Sequence, residues 1–285
     1  MILAPGELGF GPDAEMRDRT QMQFVALLVR QAAHRFILKG GMAMRALYGS
    51  TRLTKDVDFD SEDNVSQQSM RAQMAKALTQ AARQAGLIAI DVQQTKVGDR
   101  SNRWRITGRT AEQIGTTWEV EVSRRGIPPV DFIETRPFEV PIAYHIPNFN
   151  VRVYGPAAMA GGKVNALLSL NRSVPRDVYD LHELIRNNAD PTPLWISRVP
   201  REFLELKRPE VMAKIDGIGF PLANSELLPY IAPDVRERID EARWDEIRLE
   251  VAEQVESWLA HAIERAKTAE ELNRDANAEI DFAGR

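Results

Sequence analysis

Asp56 and Asp58 are separated by a single valine, and upstream of them Lys39-Gly40-Gly41 closes a short apolar run; both groups lie within residues 38–60, LKGGMAMRALYGSTRLTKDVDFD. Two carboxylates at that spacing on a strand point to the same side. They can jointly hold Mg²⁺, which takes one or two protein carboxylates and leaves positions for water and substrate phosphates. A glycine turn at the head of a helix lets backbone N–H groups approach a phosphate, the helix dipole favours the negative charge, and a neighbouring lysine adds a positive one. The chemistry these residue types suit is metal-assisted displacement at a phosphate, with a second ion completing the clamp. A bare Asp-x-Asp alone is no more than the wet face of an edge strand. Here the like charges stand directly beyond a glycine turn and a lysine, and a cation is the economical way to relieve their repulsion.

Several elements must position these groups. Phe36, Ile37 and Leu38 form the apolar run, and MAMRALYG reads as a helix with Met42, Ala46 and Gly49 on one side. After Thr51 to Lys55 the chain alternates through Asp56, Val57, Asp58, Phe59 and Asp60, the period of a strand with Val57 and Phe59 turned to a core and all three aspartates on the other face. A second alternating strand, Trp118 to Ser123, sets Val120 and Val122 on one side and Glu119, Glu121 and Ser123 on the other. Farther on, Lys163 opens an apolar helix containing Val164, Leu167 and Leu168, where an ammonium can reach a phosphate as a compact point charge. Asp177 and Asp180 share a helix face, with Arg176 adjacent. The structural alternative for this pair is that Asp177 caps the helix VYDLHELIRNN and Asp180 pairs with Arg176 or Lys163.

Lys39-Gly40-Gly41, a helix ending in Tyr48-Gly49-Ser50, a basic and hydroxyl-rich stretch from Arg52 to Lys55, and then Asp56-Val57-Asp58-Phe59 form a connected pattern. It resembles the AbiEii/AbiGii-type toxin nucleotidyltransferases of type IV toxin-antitoxin systems, a branch of the DNA polymerase β-like nucleotidyltransferase superfamily. Gly162-Lys163-Val164-Asn165-Ala166-Leu167 and Arg176-Asp177-Val178-Tyr179-Asp180-Leu181 are similar to later motifs of the same family, and the resemblance spans residues 36 to 181. It implies an α+β fold, with a polymerase β-like nucleotidyltransferase domain (a mixed sheet flanked by helices) over residues 1–155. A helical C-terminal domain, residues 156–285, would contribute Lys163 and Asp177 to the active-site cleft.

The resemblance also implies an enzyme that moves NMP from an NTP to an acceptor hydroxyl and releases pyrophosphate. Two Mg²⁺ ions would sit on Asp56, Asp58 and Glu121, with Glu119 competing for the third position. Lys39, Gly40, Gly41, Arg52, Lys163 and Asp180 would bind the nucleotide, and Asp177 would position Lys163 or the nucleotide, completing a catalytic set of Asp56, Asp58, Lys163 and Asp177. The family further implies an RNA acceptor, the 3′ end of tRNA, arrest of translation as the outcome, and a separately encoded antitoxin. Transfer to a small-molecule or protein hydroxyl is one alternative, and a non-catalytic scaffold of the same fold is another. A scaffold has no need of two adjacent aspartates.

Composition is consistent with such an enzyme. The chain has 285 residues, 44% of them hydrophobic, enough to bury a sizeable core in two domains or in one domain with a large appendage. It has no cysteine, which excludes disulfides, thiolate catalysis and zinc–cysteine sites. No apolar run approaches a membrane span and the first residues lack a basic region followed by an apolar stretch, so the expected location is the cytoplasm. A net charge of −4 argues against a general polyanion binder. Locally, however, Lys96, Arg100, Arg103, Arg105 and Arg109 surround Trp104, and Arg124-Arg125 follows the Glu121 strand. That is either a track for an RNA end with Trp104 stacked on a base, or a solvated hairpin with Trp104 in the core. His34, His145, His182 and His261 lack metal-ligand spacing, no Gly-x-Ser-x-Gly elbow exists, and no Gly-Lys-Ser/Thr follows Gly40-Gly41, so zinc, hydrolase and Walker-type readings fall away.

Periodicity predicts helices over residues 14–34 and 66–85, the second capped by Ser66, and strands around 87–94, 102–108, 116–123 and 130–134. Pro128-Pro129, Pro137, Pro141 and Pro147 mark a loop-rich crossing that ends in the short strand VRVYG. From Pro156 the pattern is helical. Residues 233–273 carry Ile239, Trp244, Ile247, Val251, Val255, Leu259 and Ile263 at helical spacing, as one long amphipathic helix or two joined ones, and the residues beyond read as frayed.

Overall fold

The computed structural model describes residues 8–32, 35–62, 66–124, 126–170 and 172–283, with side-chain burial to residue 272; His34 and Arg125 lie outside the described residues. The chain divides into two compact units, residues 1–155 with 228–238 and residues 156–227 with 239–285.

In the first unit α1 (Pro12–Ala32) is followed by β1 (Phe36–Lys39), α2 (Gly40–Leu47), β2 (Asp56–Ser61) and α3 (Gln67–Gln84). Five strands complete it: β3 (Ile88–Lys96), β4 (Ser101–Arg109), β5 (Gly115–Ser123), β6 (Ile133–Phe138) and β7 (Phe149–Tyr154). They form one mixed sheet in the order β3-β4-β5-β2-β1-β7-β6. The central strand β2 runs antiparallel to β1 and parallel to β5, and β1 runs parallel to β7.

Alternation decides what each face does. Leu38, Val57, Phe59, Trp104, Ile106, Trp118, Val120 and Val122 are all buried, and Phe24 of α1 meets Phe59 edge-on and Trp118 at a tilt. Burying a side chain of this class contributes roughly 1.5–3 kcal/mol relative to leaving it exposed, so this dry face anchors α1 to the sheet. Ser66 caps α3, its hydroxyl accepting the Ser69 amide at 3.1 Å, as its sequence predicts. Trp104 is 1% exposed, so it belongs to the core and offers no platform for a base. The proline-rich crossing holds more strand than its composition suggests, since β6 continues through Pro137 opposite Asn150. As the edge strand, β6 tolerates a residue without an N–H.

In the second unit α4 (Pro156–Leu167), α5 (Pro175–Arg186), α6 (Thr192–Arg198), α7 (Arg201–Lys207), α8 (Val211–Asp216) and α9 (Phe220–Glu226) precede a short α10 (Pro233–Arg236), which belongs to the first unit, and α11 (Glu241–Ala283). The amphipathic stretch from residue 233 is thus two helices. α11 also continues through the segment expected to fray. Trp244, Ile247, Val251, Val255 and Leu259 are buried along it, and the Trp244 indole donates to the Ile218 carbonyl at 2.9 Å. α4 begins at Pro156, a residue suited to a first helical turn, so Lys163 lies in its later half and does not open it.

Trp104→Ala should cost about 3–5 kcal/mol through the cavity it leaves. Urea unfolding should show a lower midpoint, whereas Arg105→Ala on the same strand should change stability by less than about 1 kcal/mol.

Candidate active site

β1 ends at Lys39 and α2 starts at the next residue. That junction requires φ +69° at Gly40, a left-handed value glycine adopts freely. The missing side chains matter equally. A Cβ at Gly40 would overlap Asp58 Oδ2, and one at Gly41 would overlap Thr54 Oγ1 and stand 3.1 Å from Arg52 Nη2. The two glycines therefore let the Asp58 carboxylate, Thr54 and the Arg52 guanidinium close onto the first turn of α2. Arg52 is buried; its Nη1 donates to the Leu53 carbonyl at 3.1 Å and its backbone bridges Ile231. Thr54 Oγ1 donates to the Asp56 carbonyl at 3.0 Å, fixing the start of β2.

Strand register assembles the rest. Lys39 stands opposite Asp58 across β1–β2, while Asp58 stands opposite Glu121 and Asp56 opposite Glu119 across β2–β5. On β4, Arg103 pairs with Glu121 and Arg105 with Glu119. Directly opposed residues share a face, so these charges lie together on the face away from the dry core. Arg103 Nη2 is 2.6 Å from Glu121 Oε2 and its Nη1 is 3.5 Å from Glu119 Oε2; Arg105 Nη2 is 2.8 Å from Glu119 Oε1. The hydrogen bond Arg103 donates to Glu121, supported by the charges of Glu121, Glu119 and Asp56, holds the Arg103 pKa above its ordinary value.

Among the described residues no three His, Asp or Glu side chains are gathered closely enough to hold a metal ion. Register brings Glu121 beside Asp58, yet the carboxylate is engaged by Arg103, and Glu119 is engaged by Arg105 in the same way. Mg²⁺ needs only one or two carboxylates, the remaining positions going to water and phosphate. Asp56 and Asp58, on one side of β2 with Asp58 against the glycine turn, fit such an ion. Glu121 shares that side of the sheet with its Oε2 held by Arg103.

Asp60, the third aspartate of the alternation, is different. It is buried, Lys39 Nζ lies 2.8 Å from its Oδ1, and the Tyr154 hydroxyl donates to its Oδ2. Burial, and then the Asp60 charge, pushes the Tyr154 hydroxyl far above the usual tyrosine range, so it stays protonated and can donate. Lys39 Nζ also sits 5.9 Å from the Tyr154 ring centroid. The Tyr48 hydroxyl donates to the Tyr154 carbonyl at 2.5 Å, and burial pushes that phenol up to about 12.

In the second unit, Lys163 on α4 lies between two buried aspartates of α5, 3.3 Å from Asp177 Oδ1 and 2.5 Å from Asp180 Oδ2. Arg172 grips Asp177 with two bonds, Nε at 2.6 Å and Nη2 at 3.1 Å, the strong bidentate arrangement. Asp177 makes no cap, since the N-cap of α5 is Val174 without a side-chain bond. Asp180 takes Lys163, one of the two partners its spacing allows.

The sequence patterns do not mark Thr54, Asp60 with Tyr154, Arg103 or Arg172 as site residues. Thr54 and Asp60 stand inside the motif stretch, so their position was a usable signal. Arg103 and Tyr154 reach the site only through pairing between distant strands, which no local pattern encodes.

A mixed sheet whose central strand carries Asp-x-Asp against a glycine turn, accompanied by a helical C-terminal region, is the architecture of a nucleotidyltransferase. Residues 25–269 match the family described as "Nucleotidyl transferase AbiEii toxin, Type IV TA system", and the chain belongs to that family. It is accordingly a nucleotidyltransferase that uses an NTP. The fold is similar to that of JHP933 from Helicobacter pylori, at 16% identity and TM-score 0.54 over 93% of this chain and 99% of that one. It is also similar to MenT4, a nucleotidyltransferase toxin from Mycobacterium tuberculosis H37Rv, at 19% identity and TM-score 0.50 over 90% of this chain and 93% of that one. No curated protein sequence matches. Among the described residues no helix is long and apolar enough to cross a membrane.

Gly49 also has φ near +68°, but a Cβ there would meet nothing within 4 Å. Gly40→Ala and Gly49→Ala should therefore each lose about 1–2 kcal/mol to the left-handed backbone. Only Gly40→Ala should also displace Asp58 and abolish nucleotide transfer, which melting curves and turnover measured in parallel would separate.

Proposed function

We propose that this chain is an Mg²⁺-dependent toxin that transfers NMP from an NTP to the 3′ hydroxyl of tRNA, within a type IV toxin-antitoxin or abortive-infection system. The observation that carries the reading is the Asp58 carboxylate packed over the Gly40-Gly41 turn at the head of α2. A carboxylate next to a helix N-terminus is what a bridging cation and a phosphate together require. Asp56 and Asp58 would hold two Mg²⁺ ions, with Glu121 as a third carboxylate; bound there, the ions would supply activation of the acceptor hydroxyl and neutralisation of the triphosphate.

The protein's own groups account for the remainder. The amides of Gly40 and Gly41 cradle phosphate oxygens, aided by the dipole of α2. Arg52, fixed by the Leu53 carbonyl beside Gly41, brings a permanent positive charge to the same place. Lys39 adds a second charge at the turn. The acceptor oxygen attacks the α-phosphorus in line, the bond to the bridging oxygen breaks, and pyrophosphate leaves with its charge held by these donors. Lys163, Asp177 and Asp180 enter the reading through the family's motif order, with Asp177 positioning Lys163 at 3.3 Å. The tRNA acceptor, the cytoplasmic location and a separately encoded antitoxin likewise rest on family membership. Burial of Trp104 removes one proposed base contact but leaves exposed Arg100 and Arg109.

The test is to incubate the protein with total RNA, Mg²⁺ and each α-labelled NTP. Label in tRNA-sized RNA is expected with wild type and lost by more than about a hundredfold in Asp58→Ala, the scale of removing a principal charge-stabilising group. Asp58→Ala should melt no lower than wild type, because like-charge repulsion is relieved. Label appearing in protein or small molecules and never in RNA would overturn the acceptor; full transfer by Asp58→Ala would overturn the site.

A further inference from the structure

Asp18 on α1 is fully buried within the first unit and takes no part in the reading above. We infer that Asp18 is a positioning residue for α2: it holds that helix by Arg45, and so sets where the Gly40 and Gly41 amides point. The inference rests on the reading of the head of α2 as the phosphate cradle.

What orients α2 is not contained in its own sequence. It has eight residues, too few to be stable alone, and its N-cap residue Lys39 makes no side-chain cap bond. Met42, Ala43, Met44, Ala46 and Leu47 are buried around it, but apolar burial is non-directional. The directional ties lie at the other end. In the last turn Arg45 Nη2 donates to Asp18 Oδ2 at 3.4 Å, and the Tyr144 hydroxyl donates to the same oxygen at 2.8 Å. Tyr144 closes the 3₁₀ turn Ile142–Tyr144 after β6 and is itself buried. Close by, the Glu139 amide donates to the Ala46 carbonyl at 3.1 Å. α2 is thus gripped at its C-terminal turn, and the direction of its first amides follows from that grip.

A packing role alone does not account for Asp18. Burial lifts its carboxyl above the usual carboxylate range, although the Arg45 charge, the Tyr144 hydrogen bond and the charge of Arg17 oppose the rise. An acid whose pKa is raised on folding binds its proton more tightly in the folded state, so stability is lost as pH rises from the ordinary value through the raised one. Above that range Asp18 is a net cost to folding. Apolar side chains of similar volume in place of a buried ion pair are often neutral or stabilising. They cannot, however, fix the direction of Arg45. Burial, and then the Asp18 charge, push the Tyr144 hydroxyl far above the usual tyrosine range, so it stays protonated and donates to the same carboxylate.

The experiment uses the full chain with Mg²⁺. Affinity for each of the four NTPs is read by calorimetry and stability by thermal melting. Asp18→Leu combined with Arg45→Met should melt no lower than wild type yet bind its preferred NTP about tenfold more weakly, less than the roughly hundredfold that a misplacement of about 1 Å can cost a reaction. Asp18→Asn should weaken binding in the same direction, and Tyr144→Phe, which leaves Arg45 its partner, should do so by less. Wild-type affinity in both Asp18→Asn and the apolar pair would overturn the inference, as would weaker binding confined to variants that melt lower. Gly40→Ala separates the two layers of the argument. If it binds NTP as wild type does, the cradle and the role of Asp18 fall together; if it alone binds weakly, the cradle stands and only the role of Asp18 is overturned.

Discussion

Five carboxylates occupy one face of two adjacent parallel strands, Asp56, Asp58 and Asp60 on β2 and Glu119 and Glu121 on β5, and their mutual repulsion is the constraint around which the first unit is arranged. At an effective dielectric constant near 20, two such charges 4 Å apart repel by about 4 kcal/mol, comparable to a large share of a domain's stability. Each is answered differently. Asp60 is buried with a lysine and a tyrosine, the two glutamates are met by Arg103 and Arg105 from β4, and Asp58 is brought to a helix N-terminus. The connection between the parallel strands supplies part of the answer, because α3 and the β3–β4 hairpin lie between β2 and β5 in the chain and deliver both arginines.

The opposite face makes this tolerable. Val57, Phe59, Val120 and Val122 alternate with the acidic residues and are fully buried, so the strands are held by apolar packing independent of the charges above them. The second unit repeats the electrostatic theme on helices. Asp177 and Asp180 are both buried on α5, and Lys163 from α4 with Arg172 from the preceding segment neutralise them. Pairing of that kind fixes how α4 and α5 face each other, since removing one partner would strand a buried charge.

What could be read from the sequence was whatever a single segment encodes. The strand period of Asp56 to Asp60, the glycine turn after Lys39 and the Ser66 cap each depend on neighbours in the chain, and each stands as its pattern predicts. The family resemblance from those motifs agrees with the match over residues 25–269. Less was visible where partners come from afar. Nothing local to Glu121 announces Arg103, because the pair forms through β4–β5 register. Nothing near Asp60 announces Tyr154, which arrives from β7. The strand expected at 130–134 instead runs over Ile133–Phe138, because the edge position of β6 makes Pro137 harmless, and α4 starts about two turns before Lys163.

The most direct measurement of the central claim is a crystal structure of the chain with Mg²⁺ and a non-hydrolysable NTP analogue. The account predicts a cation at about 2.1 Å from oxygens of both Asp56 and Asp58, and phosphate oxygens on the amides of Gly40 and Gly41. A triphosphate seated elsewhere, with Asp56 and Asp58 in contact with protein alone, would contradict it.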